Sequence, residues 1–294
     1  MTRETAPSYY GTYINLDRSP LRRERMEAQL AELGLTDRYT RFSAVDGAVL
    51  NIAASRIGRG ETGAFLSHAR ALEQVQQAGL PLHILEDDAL LSQHMRPVIE
   101  DAIAGGLFER FDILFTDIFV NPQLGMLKGL KTAMDSVALP PARPLRLADL
   151  QVLDLARENF ACLTSYVVGA KSMDRMLAFY RAELENGPAK PVDLFLRDCV
   201  ADGRLRAGLL FPFVTSFRLE EVAPSTIAAG TNAAKPSVMV LAVLRYLFFV
   251  GRDLDYAKAC LDAATQRNRR ATDSHHAMMA QALEFVLSAD FQQF

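Results

Sequence analysis

Three consecutive carboxylates, Glu86, Asp87 and Asp88, follow the apolar residues 82–85. This pattern predicts that they lie at the carboxyl end of a buried strand, where the ligands of open α/β sheets bind. Adjacent carboxylates repel one another, so the cluster is costly unless solvent or a cation compensates its charge. A hard divalent cation, Mn²⁺ or Mg²⁺, would bind one or two of the oxygens and leave positions open for phosphates. The alternative is a solvated acidic turn that binds nothing.

A basic segment lies at the start of the first predicted helix. It contains four arginines: Arg18, Arg22, Arg23 and Arg25. A helix amino terminus favours anions, and guanidinium groups bind the oxygens of a diphosphate in a bidentate fork. A solvated helix face would account for the same residues. In another predicted helix, Ser67 precedes His68, which could contact a phosphate or the acidic cluster; the alternative for His68 is a structural hydrogen bond.

The overall composition argues against several classes of protein. The 294 residues include 32 basic and 35 acidic side chains, and the net charge of −3 does not suit a nucleic-acid binder that relies on a basic face. The three cysteines are scattered and match no metal spacing, so no disulfide-stapled domain is expected. No P-loop, dinucleotide fingerprint or Gly-x-Ser-x-Gly motif occurs. The amino terminus contains no apolar stretch long enough for a signal peptide, and we expect a cytoplasmic protein.

Hydrophobic periodicity predicts an α/β domain that is followed by a helical tail. Strands are predicted at residues 9–16, 39–45, 82–85, 111–120, 165–169 and 207–217. Helices are predicted between Ser19 and Gly34, between Gly60 and Gly79, and over residues 173–184, 238–250, 254–264 and 275–287. Residues 125–150 contain three prolines and are predicted to form a long loop or lid. The boundary between domain and tail is predicted near residues 225–236.

Several segments, taken in order, resemble glycosyltransferase family 25, the lipopolysaccharide-type galactosyltransferases related to the collagen galactosyltransferases. The strongest matches are INLDRSPLRRERM (14–26), RFSAVDG (41–47), GETGAFLSH (60–68) and LHILEDDALL (82–91). Weaker agreement continues through FDILFTD (111–117), SYVVGAKSMDRML (165–177) and PVDLFL (191–196). Four motifs in the right order are far more specific than any one of them, and the resemblance covers about residues 9–227.

The resemblance implies a GT-A type fold, in which a Rossmann-like mixed sheet is flanked by helices. We therefore expect a GT-A type glycosyltransferase domain over residues 1–227 and a C-terminal helical extension over residues 237–294. The extension lies outside the resemblance, and it could pair with a second copy of the chain. Its apolar run, residues 238–250, has two interpretations: a helix that rests on a membrane surface, with Arg245 and Arg252 reaching the headgroups, or a buried core helix.

The resemblance also implies a site for a nucleotide-sugar donor. Glu86, Asp87 and Asp88 would correspond to the metal- and donor-binding Asp-x-Asp motif. Asp88 would be the direct ligand of Mn²⁺ or Mg²⁺, with Glu86 nearer the ribose or the waters of the metal. The residues expected to bind the nucleotide-sugar are Asn15, Asp17, Arg18, Asp46, Gly47, Ser67, His68, Glu86 and Asp87.

In such an enzyme an acceptor hydroxyl attacks the donor in a single displacement that inverts the anomeric centre, and one general base must lie within hydrogen-bond reach. The candidate bases are Asp193 and then Asp117, and each could instead be a structural hydrogen-bond acceptor. The expected reaction moves galactose from a UDP-sugar to lipopolysaccharide, lipooligosaccharide or another surface glycan. That acceptor would be lipid-linked at the cytoplasmic face of a membrane. The alternative is a non-catalytic, transferase-like scaffold or partner-binding protein.

Overall fold

The computed structural model describes residues 8–49, 55–120, 124–135, 143–221 and 236–267. In chain order the strands are β1 (Tyr10–Asn15), β2 (Tyr39–Ser43), β3 (Leu82–Glu86), β4 (Ala89–Leu91), β5 (Ile113–Val120), β6 (Gln151–Asp154), β7 (Phe160–Val168), β8 (Ala207–Phe211) and β9 (Thr215–Phe217). The helices are α1 (Pro20–Glu32), α2 (Arg59–Val75), α3 (Met95–Ala104), α4 (Leu124–Asp135), α5 (Met173–Asn186), α6 (Val192–Ala201), α7 (Pro236–Leu247) and α8 (Leu254–Arg267).

The central sheet has seven strands in the order β2-β1-β3-β7-β5-β8-β6, and β4 and β9 form a separate two-stranded ribbon. Strands β1, β2 and β3 are parallel, as are β5 and β8, and β7 runs antiparallel between β3 and β5. The carboxyl ends of β1, β2, β3, β5 and β8 therefore share one edge of the sheet with the amino end of β7. The predicted mixed α/β sheet flanked by helices is confirmed.

Helices cover both faces of this sheet, because successive strand residues point to opposite sides. On one face α2, α5 and α6 enclose a core in which the rings of Phe65, Tyr180 and Phe195 lie 5.3–6.0 Å apart. On the other face α1, α3 and α7 pack against the sheet through Met26, Ile99 and Tyr246, among others. The molecule is thus a three-layer α/β/α arrangement, and in such sheets ligands bind at the carboxyl ends of the parallel strands.

Helix α1 follows the predicted signals closely. Pro20 is its first residue, where a missing backbone N–H costs nothing. Met26 and Leu30 form the buried stripe one turn apart. Gly34 follows the helix with a φ of 64°, a left-handed conformation that a side chain would disfavour. The first strand–helix unit could therefore be predicted from local sequence alone.

The prediction of a loop or lid over residues 125–150 is wrong for much of that segment. Residues Leu124–Asp135 form helix α4, and Leu147–Asp149 form a short 3₁₀ turn. Helix α4 contains no proline and places Leu130, Ala133 and Met134 on the core face at helical spacing. The prolines at 140 and 141 lie outside the described residues, whereas Pro144 precedes the 3₁₀ turn.

The described part of the C-terminal extension packs directly against the sheet. Ala242, Val243 and Tyr246 of α7 are buried, and Phe249 after the helix pairs with Phe213 in an isolated β-bridge. The interpretation of residues 238–250 as a buried core helix therefore agrees with the described residues. Among the described helices, none is both long and apolar enough to cross a membrane. The helix predicted at residues 275–287 and the boundary at 225–235 lie outside the described residues.

A buried chain of polar side chains crosses the middle of the sheet. His83 of β3 lies with Nδ1 2.6 Å from the Tyr39 hydroxyl and Nε2 2.8 Å from Ser165 Oγ. Thr116 and Thr215 continue the chain, with their Oγ1 atoms 2.9 Å apart. Burial lowers the pKa of His83 to about 3, because a charged imidazole would lose its hydration there.

This histidine should make the protein sensitive to acid. In the unfolded chain His83 binds a proton near pH 6.5, whereas in the folded protein it does so only near pH 3. Between these pH values the unfolded state binds one more proton than the folded state does. The contribution of His83 to the free energy of unfolding therefore falls by roughly 1.4 kcal/mol for each pH unit by which the pH is lowered. Urea titrations of wild type and His83→Gln between pH 7 and pH 4 measure the difference. Parallel pH slopes for the two proteins would contradict this account.

Candidate functional site

The acidic cluster stands at the carboxyl edge of the central sheet. Glu86 is the last residue of β3, and Asp87 and Asp88 form the turn into β4. The side chain of Glu86 is 29% exposed, and Asp88 Oδ1 is buried without a hydrogen-bond partner among the described residues. Burial, with the neighbouring charges of Glu86 and Asp87, raises the pKa of Asp88 to about 7. A buried carboxylate oxygen without a partner is an unsatisfied acceptor, which a cation would compensate.

Asp87 is held in place from two elements. Asn15, at the end of β1, donates from Nδ2 to Asp87 Oδ2 at 2.7 Å, and Arg22 of α1 donates from Nη1 to Oδ1 at 3.1 Å. The same arginine donates to Glu221 at 2.7 Å, and Arg25 donates to the other oxygen of Glu221 at 2.8 Å. The side chain of Asp87 is therefore fixed by hydrogen bonds, whereas Asp88 has one oxygen without a partner among the described residues.

The basic segment is paired with carboxylates throughout. The pairs, with their shortest separations, are Arg18–Asp46 at 2.7 Å, Arg22–Glu221 at 2.7 Å, Arg23–Glu27 at 2.8 Å and Arg25–Glu221 at 2.8 Å. A diphosphate would have to compete with these partners. Arg18 and Asp46 are the easiest pair to open, because the side chain of Arg18 is 52% exposed and surface ion pairs contribute little.

Arg41 of β2 organises the end of β1 and is a residue that sequence reasoning did not single out. Its Nε donates to Asn15 Oδ1 at 2.9 Å, and its Nη2 donates to Asp17 and to the Asn15 carbonyl oxygen. Ser43 also donates to Asp17 at 2.9 Å. The bonds from Arg41 and Ser43 lower the pKa of Asp17, whose side chain is 76% exposed. Asn15, which bonds Asp87, is thus fixed beside the acidic cluster, and Asp17 is held by the same arginine.

His68 reaches the cluster from helix α2. It is buried, with Nδ1 2.9 Å from the hydroxyl of Tyr166 and Nε2 3.3 Å from Glu86 Oε1. The imidazole therefore connects Tyr166 on β7 with Glu86 on β3. The sequence left two interpretations of His68: contact with a phosphate or the acidic cluster, or a structural hydrogen bond. The structure places His68 next to Glu86, where it orients that carboxylate.

Ser67 and Gly47 hold a loop against α2. Ser67 Oγ accepts from Val45 N at 2.8 Å and donates to the Gly63 carbonyl oxygen at 2.7 Å. A Cβ added to Gly47 would lie 1.9 Å from the Arg59 carbonyl oxygen, and one added to Gly63 would lie 2.6 Å from the Val45 carbonyl oxygen. Both glycines are therefore needed for close backbone approach, and this approach positions Asp46 at the edge of the site.

Replacing Gly63 by alanine should displace this loop. The added methyl group cannot fit beside backbone atoms that have no rotamer to change, so we expect a loss of about 1–3 kcal/mol in the free energy of unfolding. Gly129→Ala in α4 is the matched control, because a Cβ there meets nothing within 4 Å and alanine favours a helix. Thermal or urea unfolding of both variants checks this. Equal stability of Gly63→Ala and wild type would show that the loop around Val45 and Gly47 can move away at no cost.

The two candidate bases have different surroundings. Asp117 on β5 is fully buried, and both of its oxygens accept hydrogen bonds from Arg245 of α7, at 2.7 Å from Nε. Asp117 is closed off from solvent and its charge is paired with the Arg245 guanidinium, so the structure favours its role as an ion-pair partner. The idea that Arg245 reaches membrane headgroups is wrong, because Arg245 is 7% exposed.

Asp193 lies in the first turn of α6 and is half-buried. Its oxygens accept from Cys162 N and from Leu194 N, each at 2.9 Å. Cys162 has a φ of 73°, a strained backbone conformation for a residue with a side chain, and the bond from its N–H to Asp193 helps to hold it. Asp193 is thereby fixed near the amino end of β7, at the same edge of the sheet as the acidic cluster.

Three residues of the site, Arg41, Glu221 and Arg245, form ion pairs that no local sequence pattern indicated. Arg245 and Glu221 lie far along the chain from their partners, at separations of 128 and 199 residues, respectively. Arg41 belongs to the RFSAVDG segment, where its pairing with Asn15 had no local pattern. Among the described residues, no group of three or more His, Cys, Asp or Glu side chains could hold a metal ion alone. A cation here would need ligands in addition to the described side chains, such as water or phosphate oxygens.

Comparison with known proteins gives the family. Residues 12–196 match the family model described as glycosyltransferase family 25 (LPS biosynthesis protein), which is more than half of the chain. No curated protein matches the chain. The match includes β1 from its third residue, the acidic cluster and Asp193, and it ends before β8, Glu221 and Arg245. The chain belongs to glycosyltransferase family 25, a family of lipopolysaccharide biosynthesis.

Proposed function

We propose that this glycosyltransferase is a metal-dependent, inverting enzyme that moves galactose from a UDP-sugar to a lipopolysaccharide, a lipooligosaccharide or another surface glycan. The observation that carries the proposal is the unpaired, buried oxygen of Asp88 within three adjacent carboxylates at the ligand-binding edge of the sheet. The family supports glycosyl transfer to a glycan. The metal, the donor and the sugar are the parts that the proposal adds.

The donor set fits a hard cation. Asp88 Oδ1 has no other partner among the described residues, and Glu86 is partly exposed beside it. Two carboxylates would leave most coordination positions of Mn²⁺ or Mg²⁺ for phosphate oxygens and water, which suits a site lacking a complete protein ligand set. A cation bound there would neutralise the charge that develops on the leaving diphosphate.

The remaining wall of the site would bind the nucleotide. Asn15 and Asp17 are oriented by Arg41 at the end of β1, and Arg18 and Asp46 form an exposed pair next to them. A ribose or diphosphate can displace that surface pair at little cost, because exposed ion pairs contribute about 0–1 kcal/mol. Arg18 would then be free to bind a phosphate oxygen, a charge-assisted contact that is stronger than the one it replaces.

Asp193 is the base that the geometry favours. Its two backbone hydrogen bonds fix the carboxylate without using every lone pair, since each oxygen can accept more than one bond. It would accept the proton of the acceptor hydroxyl as that oxygen attacks the anomeric carbon. Asp117, in contrast, would keep Arg245 in place. The acceptor would be a lipid-linked glycan that the enzyme meets at the cytoplasmic face of a membrane.

Donor turnover distinguishes this proposal from a non-catalytic scaffold. We expect Mn²⁺-dependent hydrolysis of UDP-galactose by the wild type, and a loss of about 10²–10⁴-fold in the rate of transfer for Asp193→Asn. Asp198→Asn is the matched control, since Asp198 lies on the same helix and its ion-pair partners among the described residues are Lys190 and Arg197. A scaffold would hydrolyse no donor at any metal concentration. Equal rates for Asp193→Asn and Asp198→Asn would remove Asp193 as the base.

A further inference from the structure

Helix α7 brings a buried positive charge, the side chain of Arg245, close to the acidic cluster. The guanidinium of Arg245 donates to both oxygens of Asp117 and, at 2.9 Å, to Thr164 Oγ1. Its central carbon lies 4.4 Å from the centre of the Phe217 ring. A guanidinium cannot lose its proton in a protein, so this side chain is a permanent positive charge within the fold.

The sheet register links the contacts of Arg245 to the chain on both sides of the carboxylates. Phe217 pairs with Ala89, the residue that follows Asp88. Asp117 pairs with Ser165 of β7, which in turn pairs with Leu85, the residue that precedes Glu86. Arg245 is therefore held by two residues, Asp117 and Phe217, that the sheet connects to the segments entering and leaving the acidic cluster.

Arg245 also acts on the charge of the acidic cluster. Arg22 is already shared between Asp87 and Glu221. Arg245 interacts electrostatically with Asp88, whose Oδ1 has no partner among the described residues. Burial alone would lower the pKa of Arg245, but the Asp117 carboxylate outweighs this and raises it. Arg245 thus adds a permanent positive charge to the surroundings of Asp88.

We propose that Arg245 is a positioning residue of the donor site, which anchors α7 to Asp117 and limits how strongly the acidic cluster attracts a cation. The cation part of this inference rests on the proposed function. The residue comes from a helix beyond the family match, so this chain completes its site with a segment that the matched region lacks. An ion pair too far from the cluster to act on it would stabilise the fold without changing the affinity of the cluster for a cation.

Cys162 supplies a reporter that needs neither donor nor metal. The thiol is half-buried, and burial raises its pKa to about 12, a rise that Arg245 opposes and Asp117 reinforces. Iodoacetamide reacts with the thiolate, which forms an S–C bond as iodide leaves, so the rate reports the local potential. Peptide mass spectrometry separates Cys162 from Cys199 and Cys260.

The expected alkylation rates follow the sign of the charge that is removed. Asp117→Asn should accelerate labelling of Cys162 by roughly threefold or more, and Arg245→Met should slow it by a similar factor. The double variant should fall between Arg245→Met and wild type. Arg252→Met is the matched control and should change nothing. A rate that is unchanged in Arg245→Met, or raised in every variant as unfolding would cause, overturns the proposal.

Cation affinity gives the second readout. Calorimetric titration with Mn²⁺ alone should show at least threefold tighter binding for Arg245→Met and weaker binding for Asp117→Asn, the reverse of their order in alkylation. Weaker binding for both single variants would indicate a structural pair and contradict the proposal. If wild type binds no Mn²⁺, the metal part of the proposed function fails, while the order of the Cys162 rates still decides the role of Arg245.

Discussion

Asp88→Asn is expected to reduce the Mn²⁺-dependent turnover of UDP-galactose by at least about a thousandfold. Asparagine keeps the size of the side chain but removes the charge that would hold the cation and, through it, the leaving diphosphate. Steady-state hydrolysis and transfer assays at saturating Mn²⁺ measure this loss. The matched control is Asp202→Asn, which removes an exposed carboxylate paired with Arg204 at 3.1 Å.

The same substitution should not weaken the fold at neutral pH. The pKa of Asp88 rises from 3.8 to about 7 on folding, because burial and the charges of Glu86 and Asp87 disfavour its ionised form. The folded state therefore binds this proton more readily than the unfolded chain, and the contribution of Asp88 to stability is lost as the pH rises from about 4 through 7. Above pH 7 the asparagine variant should be more stable than wild type by roughly 1–3 kcal/mol.

Urea titrations at pH 5 and pH 8 separate this effect from a general change in stability. The gain of Asp88→Asn over wild type should be larger at pH 8 than at pH 5. A variant that is less stable at pH 8 would show that Asp88 contributes to the fold rather than to binding, and the loss of turnover would then have a trivial cause. Together, lost activity and retained stability would identify Asp88 as a residue kept for its function.

Arg245→Met is expected to lower the free energy of unfolding by about 3–5 kcal/mol, the largest effect on stability among these variants. It leaves the fully buried carboxylate of Asp117 without its countercharge. Asp117→Asn/Arg245→Met removes both charges, and we expect it to lose clearly less than the sum of the two single variants. Urea unfolding of the four proteins closes the double-mutant cycle.

The control for this cycle lies on the same part of the chain. Arg252 donates to the carbonyl oxygen of Phe249 at 3.4 Å and contacts no part of the acidic cluster among the described residues. Arg252→Met should therefore stay within about 1 kcal/mol of wild type. If Arg245→Met were equally mild, the extension would be attached by its apolar contacts alone, and α7 would have no electrostatic connection to the site.

The sequence allowed the first strand–helix unit, β3 and the position of the acidic cluster to be predicted, because each has a strong local pattern. Pro20 and Gly34 bracket α1, and an apolar run precedes Glu86. Helix α4 was missed because the prolines that follow it dominated the reading of residues 125–150. These outcomes show that capping and turn residues predict where elements begin and end better than the composition of a long segment does.

The contacts that orient the site were beyond any local pattern. Nothing around Asp117 indicated that an arginine from α7 would occupy both of its oxygens. Likewise, Arg22 looked like a phosphate ligand at a helix start, whereas the structure joins it to Asp87 and Glu221. Tertiary ion pairs of this kind depend on the folded sheet order, so sequence spacing carries no information about them.

The central claim is that the carboxyl edge of the sheet binds a UDP-sugar through a cation held by Asp88. Calorimetric titration of UDP-galactose, UDP-glucose and UDP into wild type and Asp88→Asn, with and without Mn²⁺, tests it most directly. We expect Mn²⁺-dependent binding that favours UDP-galactose and is abolished in the variant. Binding that is independent of Mn²⁺ and equal in both proteins, or no binding of any of the three, would contradict the claim.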